Sequence, residues 1–196
     1  MPRHKSHTDE QIVDRALNHF WMFGYAATSM DALVSSTNVS RQGIYSAFGG
    51  KHALFLACLA AYQRKIVTHA FAQVEAPAAA LKDIAAYFHQ QIDLAENTGL
   101  PGLGCFIANT LTERAPHDAA AMAVVRAHHK RLRNGFANAL SNAATKKISA
   151  ATIDELSGFL LMSATGLWSL SRSVDNAGEL RSYANTALSL VEQRIG

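Results

Sequence analysis

Side chains suited to reading nucleic acid are concentrated between Thr28 and Lys51, in the stretch TSMDALVSSTNVSRQGIYSAFGGK. Arginine bonds guanine through two parallel hydrogen bonds, glutamine pairs with adenine in the same way, and serine bonds either base. Arg41, Gln42 and Ser46 have helical spacing and therefore share one face. We predict that these three side chains read base edges. For each of them the alternative, contact with phosphate or water only, remains open.

Phosphate contacts are predicted beside this face. The Thr28 hydroxyl and the amide next to it, at a helix N-terminus, are suited to a phosphate oxygen. Tyr45 offers a phenol and Lys51 a positive charge. Ser40 is the predicted N-cap of the helix that carries this face. Gly43 lies inside that helix at a cost of about 1 kcal/mol relative to alanine, so it either permits close approach to a groove or is tolerated drift.

Two short helices must position these residues. Thr28 is a predicted N-cap, with Asp31 in capping-box position, and apolar residues follow at helical spacing at Met30, Leu33 and Val34. Residues 37–39 break the pattern. After Ser40, Ile44 and Phe48 lie one turn apart and give the second helix an apolar face. Two capped helices joined by a three-residue turn indicate a helix-turn-helix over about residues 28–48, whose second helix enters the major groove of DNA.

A further helix precedes this motif. Thr8 and Gln11 form a predicted capping box, and Gly24 ends the helix. Its apolar stripe consists of Ile12, Val13, Ala16, Leu17 and Phe20. This helix completes a three-helix DNA-binding domain, predicted for residues 1–52. Residues 1–7 form a short basic tail that either frays or contacts phosphates.

Residues 39–55, VSRQGIYSAFGGKHALF, resemble the signature of the tetracycline-repressor (TetR) family of one-component transcriptional regulators. Thr28-Ser29-Met30 stands where that family starts its second helix, and residues 104–110, GCFIANT, resemble a segment of many of its ligand domains. The resemblance supports phosphate contacts by Tyr45 and Lys51. Gly43 departs from the Ser, Thr or Ala frequent there in the family. The resemblance implies a homodimeric repressor on a pseudo-palindromic operator, released by an unknown small molecule.

The rest of the chain, residues 53–196, is predicted to be a helical ligand-binding and dimerisation domain, which gives an all-α protein of about nine helices. A long helix opens at Lys51 and runs to about Val74 because no Pro or Gly interrupts it. We expect it to be the only rigid connection between the two domains. Further helices are predicted from Pro77 to the loop at residues 97–102, then over about 103–115, 122–140, 151–173 and 176–195.

The last two helices are the predicted dimer contact. The first is apolar on two faces, and a helix of that kind needs two partners. One face carries Ile153, Leu156, Leu160, Ala164 and Leu167, and the other carries Phe159, Met162 and Gly166. With Leu180, Ala184, Leu188, Val191 and Ile195 on the final helix, the pair is predicted to form an intermolecular four-helix bundle, as the resembled family does. The alternative is that both faces are buried within one chain.

Candidate ligand contacts come from side chains that these helices direct toward an apolar pocket with a few polar anchors. They are Tyr62, Phe88, Gln91, Cys105, Phe106, Asn109, His129, Met162 and Trp168. For each, ordinary core packing is the alternative. Cys105 is either a redox or electrophile sensor or an inert thiol inside a helix.

Composition excludes several other classes. The chain has 196 residues, 49% hydrophobic and 17% charged, as in globular proteins. Its net charge of +3 arises wholly before residue 66. No apolar run reaches the ~18 residues of a membrane span, so we expect a cytoplasmic protein with reduced cysteines. No motif indicates catalysis, a cofactor or a metal site. Two alternatives remain open: a regulator with activating or ligand-independent action, and a helical enzyme or small-molecule carrier without DNA binding.

Overall fold

Every regular element in the described part of the chain is helical. The computed structural model describes residues 8–144 and 148–196, so the predicted basic tail lies outside the described residues. Counting one continuous bent element once, the described helices are α1 (Asp9–Phe23), α2 (Met30–Thr37), α3 (Arg41–Phe48), α4 (Lys51–Phe71), α5 (Leu81–Thr98), α6 (Phe106–Glu113), α7 (Ala119–Ala143), α8 (Ala150–Leu170) and α9 (Ala177–Ile195). The all-α prediction is confirmed.

The capping residues set the first three helices almost as predicted. Thr8 and Gln11 form the capping box of α1, and Ser40 caps α3 by accepting from the Gly43 amide. The predicted cap of α2 was wrong by one position, because the Ser29 hydroxyl accepts from the Ala32 amide instead. The Thr28 hydroxyl is buried and donates to the Gly24 carbonyl.

The turn between α2 and α3 depends on Asn38, which adopts the left-handed conformation at φ 58°. Ile44 of α3 is fully buried, and Phe48 packs partly buried against the same core. Arg15 of α1 donates to the Thr37 carbonyl at 2.9 Å, which ties α1 to the end of α2. The three helices therefore share one small core with the start of α4.

Helix α4 is interrupted where the sequence predicts an even helix. Residues Gln63–Val67 form a π-helical turn, in which the Thr68 amide bonds the Gln63 carbonyl. Lys65, in this turn, pairs with Glu10 and Asp14 of α1 at 2.8 Å each. Regular helix ends at Phe71 rather than near Val74. Single wide turns of this kind occur frequently at functional positions.

The body is built from α5 to α9 around an aromatic core. The Phe136 ring on α7 lies edge-on to Phe71, with centroids 5.2 Å apart, and stacks with Phe88 at 6.3 Å. Helix α5 begins at Leu81, later than predicted, since the Asp83 carboxylate accepts the Ala80 amide there. Helix α6 is shorter than predicted at both ends and is followed by a 3-10 turn at Ala115–His117.

Helices α8 and α9 pack against each other and against the body. The predicted α8 face with Leu156, Leu160 and Leu167 is buried. On α9, the stripe assigned to an intermolecular bundle was misassigned, since Leu180, Ala184, Leu188, Val191 and Ile195 are all buried within the chain. This stripe packs against α5 and α8. On the second predicted face of α8, Phe159 and Met162 remain exposed.

Among the described residues, no single helix combines the length and apolar character of a membrane span. One pair, Arg41–Phe48 with Lys51–Phe71, meets the length and composition test only jointly and across a 64° bend.

Candidate functional site

The outer face of α3 carries the predicted base-reading side chains. Arg41, Gln42 and Ser46 are all exposed, whereas Ile44 on the opposite side is fully buried. The Arg41 guanidinium donates to the Asp31 carboxylate at 2.8 Å, and this hydrogen bond raises the pKa of Arg41. The pair is open to solvent on both sides, so it costs little to break. Arg41 is therefore held on the outer face and is free to exchange partners.

The surroundings of Gly43 explain why glycine lies there, and this explanation is neither close approach to a groove nor tolerated drift. A Cβ atom at this position would lie 2.7 Å from the Cγ1 atom of Val39 and 3.3 Å from the Ser40 hydroxyl. A β-branched side chain in the turn cannot move aside easily. Glycine at position 43 thus makes room for the turn that precedes α3.

The predicted phosphate contacts lie in three different environments. Tyr45 is 51% exposed, and its ring covers Gly50, where a Cβ would be 3.2 Å from the ring. The Lys51 ammonium stands 4.2 Å from the centre of the Tyr25 ring, and burial lowers the pKa of Lys51. The Thr28 hydroxyl is fully buried and donates to the Gly24 carbonyl.

A carboxylate clamp joins the turn after α1 to the body. The Glu113 side chain at the end of α6 accepts the backbone amides of Tyr25 at 3.0 Å and Ala26 at 2.7 Å. Gly24 permits this approach, because a Cβ there would lie 2.9 Å from both carboxylate oxygens, and its φ of 81° suits glycine. The expectation that α4 is the only rigid connection was therefore wrong.

A second connection centres on Asp118. Its carboxylate caps α7 through the amides of Ala120 and Ala121 and also contacts His52 at 2.7 Å and Arg114 at 2.9 Å. Burial tends to raise the pKa of Asp118, but the Ala121 amide and the His52 ring outweigh it, so the pKa is lowered. The first turn of α4 is thus bonded to the start of α7.

A cavity of about 530 Å³ lies where α1 meets the body. Helix α4 contributes Tyr62 and Ile66 to its wall, α5 contributes Gln91, and α8 contributes Trp168. The end of α1 contributes Trp21, whose indole nitrogen donates to the Gly104 carbonyl at 3.0 Å. The rim is formed by exposed apolar side chains, namely Met22, Leu94 and Leu103. The cavity is therefore shared between the helix-turn-helix unit and the body.

Most polar side chains on the cavity wall have hydrogen-bond partners within the chain. The Trp168 indole donates to the Tyr87 hydroxyl at 3.3 Å, and the Gln63 amide contacts His128 at 2.9 Å. Burial lowers the pKa of His128 to about 3, with contributions from His129 and Arg131, so its ring is uncharged at neutral pH. The wall is aromatic, apolar and uncharged.

Four of the predicted ligand contacts come together at this cavity, and five do not. Tyr62, Gln91, Cys105 and Trp168 line it. Phe88 and Phe106 are buried in the core. His129 does not line the cavity, whereas its neighbour His128 does. The Asn109 amide bonds the Leu103 carbonyl at 3.0 Å and faces a smaller cavity beside Glu113. Met162 is 75% exposed on α8 and lies away from the cavity.

Cys105 precedes α6 rather than lying inside it, which corrects the predicted placement. The side chain is buried at the cavity wall beside Tyr62. Burial raises the pKa of the Cys105 thiol, and hydrogen bonds from the Ala108 amide and Tyr62 only partly oppose this. The thiol form is therefore favoured, and thiolate reactivity is disfavoured at neutral pH.

Sequence reasoning missed Trp21, Tyr87, His128, Glu113 and Asp118. The helical repeat of α7 does not separate His128 from His129, because the buried positions 125, 132, 136 and 140 fit either neighbour. Tyr87 follows Ile84 by three residues on the buried side of α5. For Glu113 and Trp21 the sequence holds no signal, since their partners are backbone groups 80 or more residues away in the chain.

Comparisons with known proteins agree with this architecture. Residues 12–58 match the family of bacterial regulatory proteins named tetR. The uncharacterized HTH-type transcriptional regulator YezE of Bacillus subtilis (strain 168) is 24% identical over 195 residues, 98% of this chain and 100% of that protein. The HTH-type transcriptional repressor ComR of Escherichia coli (strain K12) is 27% identical over 121 residues, 61% of this chain and 57% of ComR.

Among solved structures, the fold is similar to a cysteine mutant of the TetR family transcriptional regulator CifR, complexed with double-strand operator DNA of 26 base pairs. The TM-score is 0.80 at 21% sequence identity, and the match covers 95% of this chain and 98% of CifR. The whole described arrangement, and not only the helix-turn-helix, is therefore shared with regulators of this fold.

Proposed function

We propose that this chain is a DNA-binding transcriptional regulator of the tetR family, which its residues 12–58 match, and that it is a homodimeric repressor that a small molecule releases from its operator. In this proposal residues 1–52 bind DNA, residues 53–196 bind the ligand and the second copy, and the protein acts in the cytoplasm. One observation carries the proposal: the exposed reading face and the cavity are attached to the same short helical unit.

The outer face of α3 supports DNA reading. Arg41 and Gln42 lie at its N-terminal end, which is the end that reaches base edges when such a helix enters the major groove. Both are exposed, and Ser46 follows one turn later. Tyr45 and Lys51 flank this face and would hold phosphates on either side. CifR in its operator complex provides a precedent for the fold on DNA.

The exposed faces of α8 and α9 support a second copy of the chain as partner. Met162 is 75% exposed, Tyr183 47% and Leu190 50%, and Gly166 would have open space around a Cβ. Glu155 near the start of α8 lies 3.8 Å from Arg194 near the end of α9, so the two helices pack side by side in opposite directions. Four-helix bundles bury apolar residues of this kind between paired helices.

The shared cavity supports release by a ligand. A molecule in it would touch Trp21 of α1 directly, and α1 leads within a few residues to the clamp at Glu113. If the ligand prefers a conformation in which the two reading faces are wrongly spaced, operator affinity falls by the ratio of ligand affinities for the two conformations. The repressor ComR is a precedent for the direction of regulation.

Selection of genomic fragments bound by the purified chain tests the proposal. We expect a specific complex in mobility shift whose affinity falls steeply with salt. Gln42→Ala should change which sequence is preferred, whereas Lys51→Ala should weaken binding to all sequences alike. Identical effects of the two substitutions, or no specific fragment, would refute the assignment.

A further inference from the structure

The cavity between α1 and the body has a wall chemistry that selects ligands by charge and shape. We infer that its ligand is an uncharged, ring-containing molecule with a hydrogen-bonding group that the Gln91 carboxamide binds. The inference rests on the proposed function, because it names the ligand class of the same regulator. The volume of about 530 Å³ lies within the range of small-molecule sites.

The charge of the cavity wall restricts the ligand. None of the described residues that line the cavity is Asp, Glu, Lys or Arg. His128, the one basic side chain there, is held neutral by burial, which lowers its pKa to about 3. An ionic ligand would give up its hydration and meet no counter-ion. The wall therefore disfavours both cations and anions relative to neutral molecules of the same shape.

The shape of the cavity wall restricts the ligand further. Trp21 lies edge-to-face with Tyr62, with ring centroids 5.1 Å apart, and Trp168 lies perpendicular to Tyr87 at 6.1 Å. Aromatic rings pack favourably in offset and edge-to-face arrangements, so a flat ring fits such walls. Ring faces also attract cations, which makes an organic cation the competing ligand class.

The cavity wall also carries a free polar group. Among the described residues that line the cavity, the indoles of Trp21 and Trp168 and the His128 ring all have hydrogen-bond partners within the chain. The Gln91 carboxamide has none, although it lies half-buried on the inner face of α5. A carboxamide both donates and accepts, so a hydroxyl or carbonyl on the ligand would satisfy it.

Isothermal titration calorimetry with three compounds of one bicyclic shape tests the inference. The compounds are 2-naphthalenemethanol, 2-naphthoate and 2-naphthylmethylammonium, titrated into the full-length chain at neutral pH and at two temperatures. We expect the alcohol to bind with a Kd roughly tenfold or more below those of both ions. Binding of either ion as tight as that of the alcohol, or no binding by any compound, would overturn the inference.

Gln91→Glu places a carboxylate on the wall and should make the ammonium compound the tightest of the three. Gln90→Glu is the matched control, since Gln90 is the exposed neighbour on the same helix and should leave the order unchanged. An unchanged order in Gln91→Glu would contradict the role of this residue. Operator binding is measured on the same preparations. Its absence would refute the repressor proposal, while calorimetry alone judges the ligand class.

Discussion

Replacing Glu113 by glutamine tests whether the clamp after α1 sets the position of the reading face. The carboxylate accepts the Tyr25 amide at 3.0 Å and the Ala26 amide at 2.7 Å. A glutamine of the same shape has one oxygen to accept with, and its NH2 group would face a backbone donor. The substitution therefore removes the charge and at least one hydrogen bond while leaving the size of the side chain almost unchanged.

The magnitude follows from the hydrogen bonds that are lost. Hydrogen bonds to a charged group contribute about 1.5–3 kcal/mol, and the lower end applies because the Glu113 side chain is exposed. A loss of about 1.4 kcal/mol corresponds to a factor of ten in an equilibrium constant. If the clamp selects the orientation of the helix-turn-helix that fits an operator with two half-sites, the fraction of protein in that orientation falls by the same factor. We expect up to about tenfold weaker operator binding.

Fluorescence anisotropy with the full operator and with a single half-site measures this effect. Glu113→Gln should weaken binding to the full operator and leave half-site binding unchanged. A half-site is bound by one reading face, so the position of that face relative to the other copy does not matter there. Glu192→Gln, the same charge change at an exposed position on α9, is the matched control. Equal weakening on both DNA molecules would indicate a damaged helix-turn-helix and refute the reasoning, as would no change on either.

Three further predictions concern stability and assembly. The lowered pKa of Asp118 gives a stabilisation that is present above its unfolded pKa of about 3.9 and lost as the pH falls through the folded value. Asp118→Asn should therefore lower the free energy of unfolding by about 1 kcal/mol at neutral pH, measured by urea unfolding. On acidification this variant should lose less stability than the unsubstituted chain. Gly135→Ala, whose Cβ would lie 2.5 Å from Phe71 Cε1, should cost about 1–3 kcal/mol and lower Tm, unlike Gly158→Ala. Met162→Glu should yield monomers in sedimentation velocity.

Each of these has an outcome that contradicts it. For Asp118, an equal loss of stability on acidification in both proteins would show that the carboxylate is not the titrating group. For Gly135, a Tm equal to that of the unsubstituted chain would mean that Phe71 moves aside without cost. A Met162→Glu protein that still sediments as a dimer at micromolar concentration would place the contact between copies on another surface.

The helix-turn-helix was predictable because its signals are local. Caps, an asparagine turn and one buried residue per turn lie within 20 residues of each other, and Ser40 capped α3 as predicted. The error at α2 was also local. Thr28 and Ser29 have equivalent capping chemistry, and only the burial of Thr28 against the Gly24 carbonyl decides between them. Sequence spacing cannot report that burial.

The cavity was only partly predictable because it depends on packing between distant elements. Tyr62 and Trp168 lie on apolar faces that the helical repeat identifies, but that repeat does not separate a cavity wall from a filled core. Phe88 has the same pattern and is fully buried. On α9 the repeat correctly marked a buried stripe, yet it could not tell burial within the chain from burial against a second copy.

Two attachments between the helix-turn-helix and the body change how a ligand signal would travel. If α4 were the only connection, a change in the body would reach the helix-turn-helix only as a tilt of α4. Trp21 of α1 is also bonded at the cavity, and Tyr25 after α1 is bonded at the clamp, so the helix-turn-helix is held at these two points in addition to α4. A ligand that shifts Trp21 would then turn the unit about α4, whose π-helical turn at Gln63–Val67 adjoins the same cavity. Breaking the Trp21 bond by Trp21→Phe should therefore reduce the response to ligand more than it reduces affinity for the operator.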